Sequence, residues 1–202
     1  MERLSFGIHG GIKEFRKGGG RKFVQRRVPV LCFLVILGSV FAPALLETYG
    51  YAEDYWLLAK VGYENDPMFK TVFFEEGRPL AGLLIRFAFG GLDRVDQLVW
   101  IRLAGILGVG VSGWLVAAFV RRRLGAGGLV SLAVAAAAVF TAGGLLPGVW
   151  ATVSFYPIAF ILSFVGGWRL LAAEAGWRDW IVVFLLLLVS LCIYQPMTGA
   201  VL

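Results

Sequence analysis

Long stretches without charge constrain this chain more than any other feature. Val28 to Leu46 runs for nineteen residues without one. That is enough for about 28 Å of helix at about 1.5 Å per residue, close to the hydrocarbon thickness of a bilayer. Four further runs follow, 98–120, 129–146, 151–168 and 181–199, and a single charged side chain, Arg102, interrupts the set. The composition agrees, with 59% hydrophobic and 16% charged residues, where a soluble domain has about 45–50% and about 25%. An ordinary cytosolic enzyme, a disordered tail and a disulfide scaffold are excluded. The expected fold class is all-α: a polytopic transmembrane helix bundle of about five spans, with a large first outer loop, 47–97, that contains surface-lying helices.

The formal net charge of +6 is sorted by segment, so it is no nucleic-acid signature. Residues 1–27 carry eight bases against two acids, residues 47–97 carry nine acids against five bases, and Arg121, Arg122 and Arg123 stand together after the second run. This alternation is the pattern of loops on opposite sides of a bilayer, with basic segments inside. Residues 1–27 therefore read as a cytosolic tail able to rest on anionic headgroups. A cleaved signal peptide is the competing reading, because Ala42-Pro43-Ala44 imitates a small-x-small site, but the basic lead is too long for such a segment.

The first span leaves the cytosol and the second returns to it at the arginine triplet. An even number of crossings must separate them, so the 14 residues from Pro79 to Leu92 are expected to lie along the outer surface. Leu80, Leu83, Leu84 and Phe87 follow an i, i+3, i+4, i+7 stripe there, and Pro79 suits a first helical position. Pro147-Gly148 is expected to turn the chain between the third and fourth spans. The chain stops on Ala200-Val201-Leu202 without a polar flank, and the expectation is the N-terminal part of a longer protein.

Few residues are equipped for chemistry. Cys32 and Cys192 lie far apart in apolar runs and His9 is the one histidine, so no zinc site or Ser-His-Asp apparatus can be assembled. Gly108-Val109-Gly110-Val111-Ser112-Gly113 satisfies a dinucleotide fingerprint in letter, but inside an apolar span its glycines serve close helix packing instead. Glu53-Asp54 stands seven residues beyond the first span, where a carboxylate can act as general base or simply cap a helix. Arg78 precedes Pro79, and a guanidinium beside a helix start suits a phosphate as well as a lipid headgroup or a neighbouring acid. Arg102 lies one turn inside the second span, where it either snorkels outward or marks a functional cavity. Tyr194 and Gln195 close the fifth span, as sugar contacts or interfacial anchors.

The ordered set resembles the polytopic glycosyltransferases of the GT-C class, nearest to the bacterial serotype-converting type that glucosylates O-antigen. It consists of a basic start, one span, an acidic pair at Glu53-Asp54, Gly77-Arg78-Pro79-Leu80 opening a surface helix, a return to basic residues, and Tyr194-Gln195-Pro196. The pair is Glu-Asp here, where Asp-Asp is frequent in that family. The resemblance implies an inner-membrane protein with a cytosolic N-terminus and a periplasmic or extracellular first loop. It implies Asp54 as catalytic base, with Glu53 as orienting neighbour or contact for a divalent metal. Arg78 and Arg102 would bind the phosphate of a polyprenyl-phosphate sugar donor, and Tyr194 and Gln195 the sugar or the acceptor, a glycan or lipid-linked oligosaccharide. No cofactor is firmly implied. A non-catalytic membrane scaffold and a transporter-like subunit are the alternatives; the latter would place broken helices and charges near the bilayer midplane.

Overall fold

A computed structural model describes residues 30–50, 52–60, 73, 77–171 and 176–194 of the chain. Among these, every regular element is helical. Helix α1 is described over Val30–Leu46, α2 over Ala52–Lys60 and α3 over Pro79–Phe89. A 3-10 turn, Val95–Gln97, leads into α4, Leu98–Arg123. Then come α5, Gly128–Val139, and α6, Ala142–Val149. A second 3-10 turn, Ala151–Val153, precedes α7, Tyr156–Leu170, and α8 is Trp177–Ile193. Two stretches, Val95–Arg123 and Ala151–Leu170, are long and apolar enough to cross a membrane. The basic tail, 1–27, lies outside the described residues.

The 26 residues of α4 form the axis. Helix α1 runs antiparallel to it, so that Phe33, Leu37 and Phe41 share one buried cluster with Ile106, Val109 and Val139. Its glycines make the approach possible. A Cβ at Gly105 would strike the Pro147 carbonyl and the Ser154 hydroxyl, one at Gly108 would meet Pro157 at 2.7 Å, and those at Gly110 and Gly113 would press on Leu37 and Phe33. Three neighbours, α1, α6 and α7, thus lie against positions of α4 that carry no side chain, and the packing reading of the glycine motif holds. Farther along, Val116 and Val120 pack on Ala135 of α5, and Phe119 meets Phe164 and Trp168 of α7 edge-on. Helix α7 therefore runs parallel to α4.

The third apolar run, 129–146, was expected as one helix. It is two, α5 and α6, broken at Phe140-Thr141, and Pro147-Gly148 is helical rather than a turn. The cause is local. Gly144 comes so close to the Val139 backbone that any Cβ there would collide, and Thr141 restarts the helix by accepting the Gly144 N–H. Helix α3 begins as expected with Pro79 at its first position, but it is apolar on two faces. Ala81, Ile85 and Phe89, one per turn, pack in a cluster with Leu57, Leu98, Ile101 and Ala151. The expected stripe points the other way, and its Phe87 is 89% exposed.

Helices α7 and α8 form an antiparallel pair joined by polar contacts. The Ser163 and Ser190 hydroxyls lie 2.7 Å apart, and Ser190 donates to the Ala159 carbonyl at 2.9 Å. At one end of the pair Arg169 donates to Asp179 at 2.6 Å. That guanidinium, helped by the Gly176 N–H, holds the Asp179 carboxyl below its ordinary range. At the other end Tyr156 and Tyr194 stack with ring centroids 3.8 Å apart. The bundle thus has a basic end, with Arg121, Arg122, Arg123, Arg169 and Arg178, and an opposite end where α1, α2 and α6 meet.

Gly105→Ala forces the α6–α7 connection away from α4 and should destabilise the protein by about 1–3 kcal/mol. Gly38→Ala, in α1 where a Cβ meets nothing within 4 Å, should be neutral or gain up to about 1 kcal/mol of helix stability. Unfolding midpoints of both variants in the same detergent check the order.

Candidate functional site

Helix α2 sits just past the end of α1 and turns one face inward. Asp54 is fully buried, and Leu57, one turn on, belongs to the cluster that includes Ala151 and Leu98. Tyr55, on the other face, is exposed. The Asp54 carboxylate reaches across 98 positions of sequence to the 3-10 turn. Its Oδ1 accepts the Thr152 backbone N–H at 2.9 Å and the Thr152 hydroxyl at 2.7 Å. A carboxylate placed so is an oriented acceptor, with the chemistry of either a base or a fastening.

The turn that offers these donors is itself held. The Ser154 hydroxyl donates to the carbonyls of Pro147 and Trp150, at 2.8 and 3.2 Å, and Ala151 is fully buried. Three residues before Thr152, the Val149 carbonyl accepts the Tyr49 hydroxyl at 3.1 Å. The connection between α1 and α2 is therefore joined to the connection between α6 and α7 at two points.

Arg102 completes the frame. It is 1% exposed, so it does not snorkel to solvent. One terminal nitrogen donates to the Ala44 carbonyl at 3.4 Å, the other to the Tyr49 carbonyl, and the guanidinium carbon lies 3.9 Å over the Tyr49 ring. Ala44 belongs to the last turn of α1, whose carbonyls lack partners within the helix and form the negative end of its dipole. Arg102 thus caps α1 from the side of α4. Its Nε has no partner among the described residues.

The remaining expected site residues divide. Arg78 is half-buried at the start of α3, with φ −116° and ψ 49°, short of the extended conformation that a following proline favours. Its N–H donates to the Phe73 carbonyl at 2.7 Å and its carbonyl accepts the Gly82 N–H at 3.2 Å. Because α3 packs in the same cluster as Leu57 and Ala151, Arg78 belongs to the same end of the bundle as Asp54. Tyr194 ends α8 at that end, against Tyr156. The backbone of Glu53 lies in α2, and Gln195 lies outside the described residues. Among the described residues, no group of three or more His, Cys, Asp or Glu gathers as a metal site.

Two contributors escaped the reading of the sequence. Thr152 sits in an apolar run with nothing to mark it, and Tyr49 stands where any interfacial aromatic would. Comparison with protein-family models, with curated proteins and with solved structures finds no match to this chain.

Arg102→Ala removes a donor from two carbonyls and empties a buried volume, so it should cost about 3–5 kcal/mol. Tyr49→Phe removes one hydroxyl bond and should cost about 1 kcal/mol. Denaturation of the detergent-solubilised protein, followed by tryptophan fluorescence, reads both.

Proposed function

We propose that this protein is a membrane glycosyltransferase acting on a lipid-linked donor, with Asp54 as its general base. In this reading about five helices cross a bacterial inner membrane. The N-terminus is cytosolic, the basic end faces the cytosol, and the end that carries Asp54 faces outward. The observation that carries the proposal is the full burial of one oriented carboxylate, Asp54, at the end of an apolar bundle opposite Arg121, Arg122 and Arg123. The order of residues that resembles the GT-C transferases supports it.

The chemistry follows from charge. The donor is a polyprenyl-phosphate sugar and the acceptor is a hydroxyl of an outer-face glycan or lipid-linked oligosaccharide. The acceptor oxygen forms a bond to the anomeric carbon as the bond from that carbon to the phosphate oxygen breaks. The phosphate leaves with the electron pair, and the acceptor proton passes to Asp54. Arg78, beside the α3 N-terminus, supplies the positive charge that stabilises the departing phosphate. Arg102 already serves the carbonyls of Ala44 and Tyr49, so its part is to hold the frame. Tyr194 and Gln195 are the residues assigned to contact with the sugar or the acceptor.

A scaffold without catalysis is the second reading, and the two bonds from Thr152 favour it, since a fastened carboxylate can be only a fastening. The two readings part at Asp54→Asn, which is nearly isosteric. In proteoliposomes holding the protein as its reading frame encodes it, with radiolabelled polyprenyl-phosphate hexoses and lipid-linked oligosaccharide acceptors, wild type should transfer label. Asp54→Asn should lower the rate by about 10²–10⁴ while leaving insertion and abundance unchanged. Arg78→Lys should be less damaging than Arg78→Ala, because it keeps charge but loses the planar fork. Wild-type protein that turns over none of these donors contradicts the proposal.

A further inference from the structure

We infer that Thr152 is a positioning residue for Asp54: its hydroxyl and N–H hold one carboxylate oxygen and so help to aim the second. The inference rests on the transferase reading above for what that oxygen is aimed at, but the link itself is independent of it.

Three observations carry it. Both donors come from one residue and both reach the same oxygen, at 2.9 and 2.7 Å. Two bonds meeting at Oδ1 restrict rotation about the last side-chain torsion of Asp54, which is broad when unrestrained. The donor residue is seated rigidly, since Ala151 and Val153 on either side are buried. The backbone of the turn closes through Val153 N–H to Trp150 O at 3.2 Å and Ser154 N–H to Ala151 O at 3.1 Å. Finally, the coarse placement of α2 has other supports. Leu57 is buried in its own cluster, and Tyr49 binds Val149 just before the helix. Losing the Thr152 hydroxyl therefore leaves α2 docked while loosening the direction of one carboxylate. A group that acts on a proton in flight is sensitive to such direction, since misplacements of about 1 Å can cost about 10²-fold in rate.

The test uses Thr152→Val, which keeps shape and the backbone N–H but removes the hydroxyl, and Thr152→Ser, which keeps the hydroxyl. In the proteoliposome assay Thr152→Val should lower kcat about 10- to 100-fold with KM within about twofold of wild type, and Thr152→Ser should restore kcat to within about threefold. A stability cycle with Asp54→Ala reads the contact without activity. Thr152→Val should lower the unfolding midpoint in the wild-type background and leave it unchanged in the Asp54→Ala background. Should Thr152→Val not fold, Thr152→Ala against Thr152→Ser gives the same comparison. Wild-type kcat in folded Thr152→Val, within an active parent, overturns the inference while leaving the transferase reading intact. Additive midpoints in the cycle overturn it as well. A parent inactive on every donor, with the cycle still non-additive, overturns the transferase reading and with it the catalytic purpose assigned to Thr152.

Discussion

A guanidinium buried in an apolar helix has to be given acceptors, and much of this molecule is arranged around that requirement. Taking an ion out of water costs several kcal/mol even after relaxation. Arg102 offsets this at the last turn of α1, whose carbonyls lack partners within the helix, and at the Tyr49 carbonyl just beyond it. The same residue lends its ring to the flat face of the cation. Because Tyr49 also binds the Val149 carbonyl, one charge ties together α1, α4 and the end of α6. The α1–α2 connection is thereby fixed in direction, and Asp54 is delivered to Thr152.

The approach that lets these bonds form is set by small residues. Gly105 lies against the Pro147 carbonyl and the Ser154 hydroxyl, and Ser154 in turn braces the turn that holds Thr152. Any side chain at position 105 would move the 3-10 turn away from α4, and the seat of Asp54 with it. Backbone polar groups inside an apolar body need internal partners. The bundle meets that need with serines between helices, as at Ser163 and Ser190, and with the capping arginine at the end of α1.

What was legible in the sequence is what local physics decides. Proline at the head of α3, the long helix ending on three arginines, and the packing role of the α4 glycines all follow from spacing and residue type. The break at Phe140-Thr141 was less visible, because alanine-rich sequence favours a continuous helix and the close approach of Gly144 to the Val139 backbone, which only a glycine allows, exists only in three dimensions. The partners of Asp54 and Arg102 lie 98 and 53–58 positions away in the chain, and no periodicity encodes such distances. Sequence singled out the charged member of each pair and missed Thr152 and Tyr49, the neutral members, because a lone hydroxyl or phenol has many uses. The outward stripe of α3 shows the same limit: a helix apolar on two faces does not announce which face is packed.

The proposed orientation places the Asp54 end of the helical bundle outward across a membrane and the end with Arg121, Arg122 and Arg123 toward the cytosol. Single cysteines at the two ends test it most directly, after Cys32→Ser and Cys192→Ser remove the native thiols. Tyr55→Cys sits on the exposed face of α2, and Arg122→Cys at the exposed end of α4. In intact bacterial cells an impermeant maleimide should label the first and reach the second only after the membrane is opened. Labelling of position 122 with position 55 protected, or equal labelling of both in sealed cells, would contradict the account.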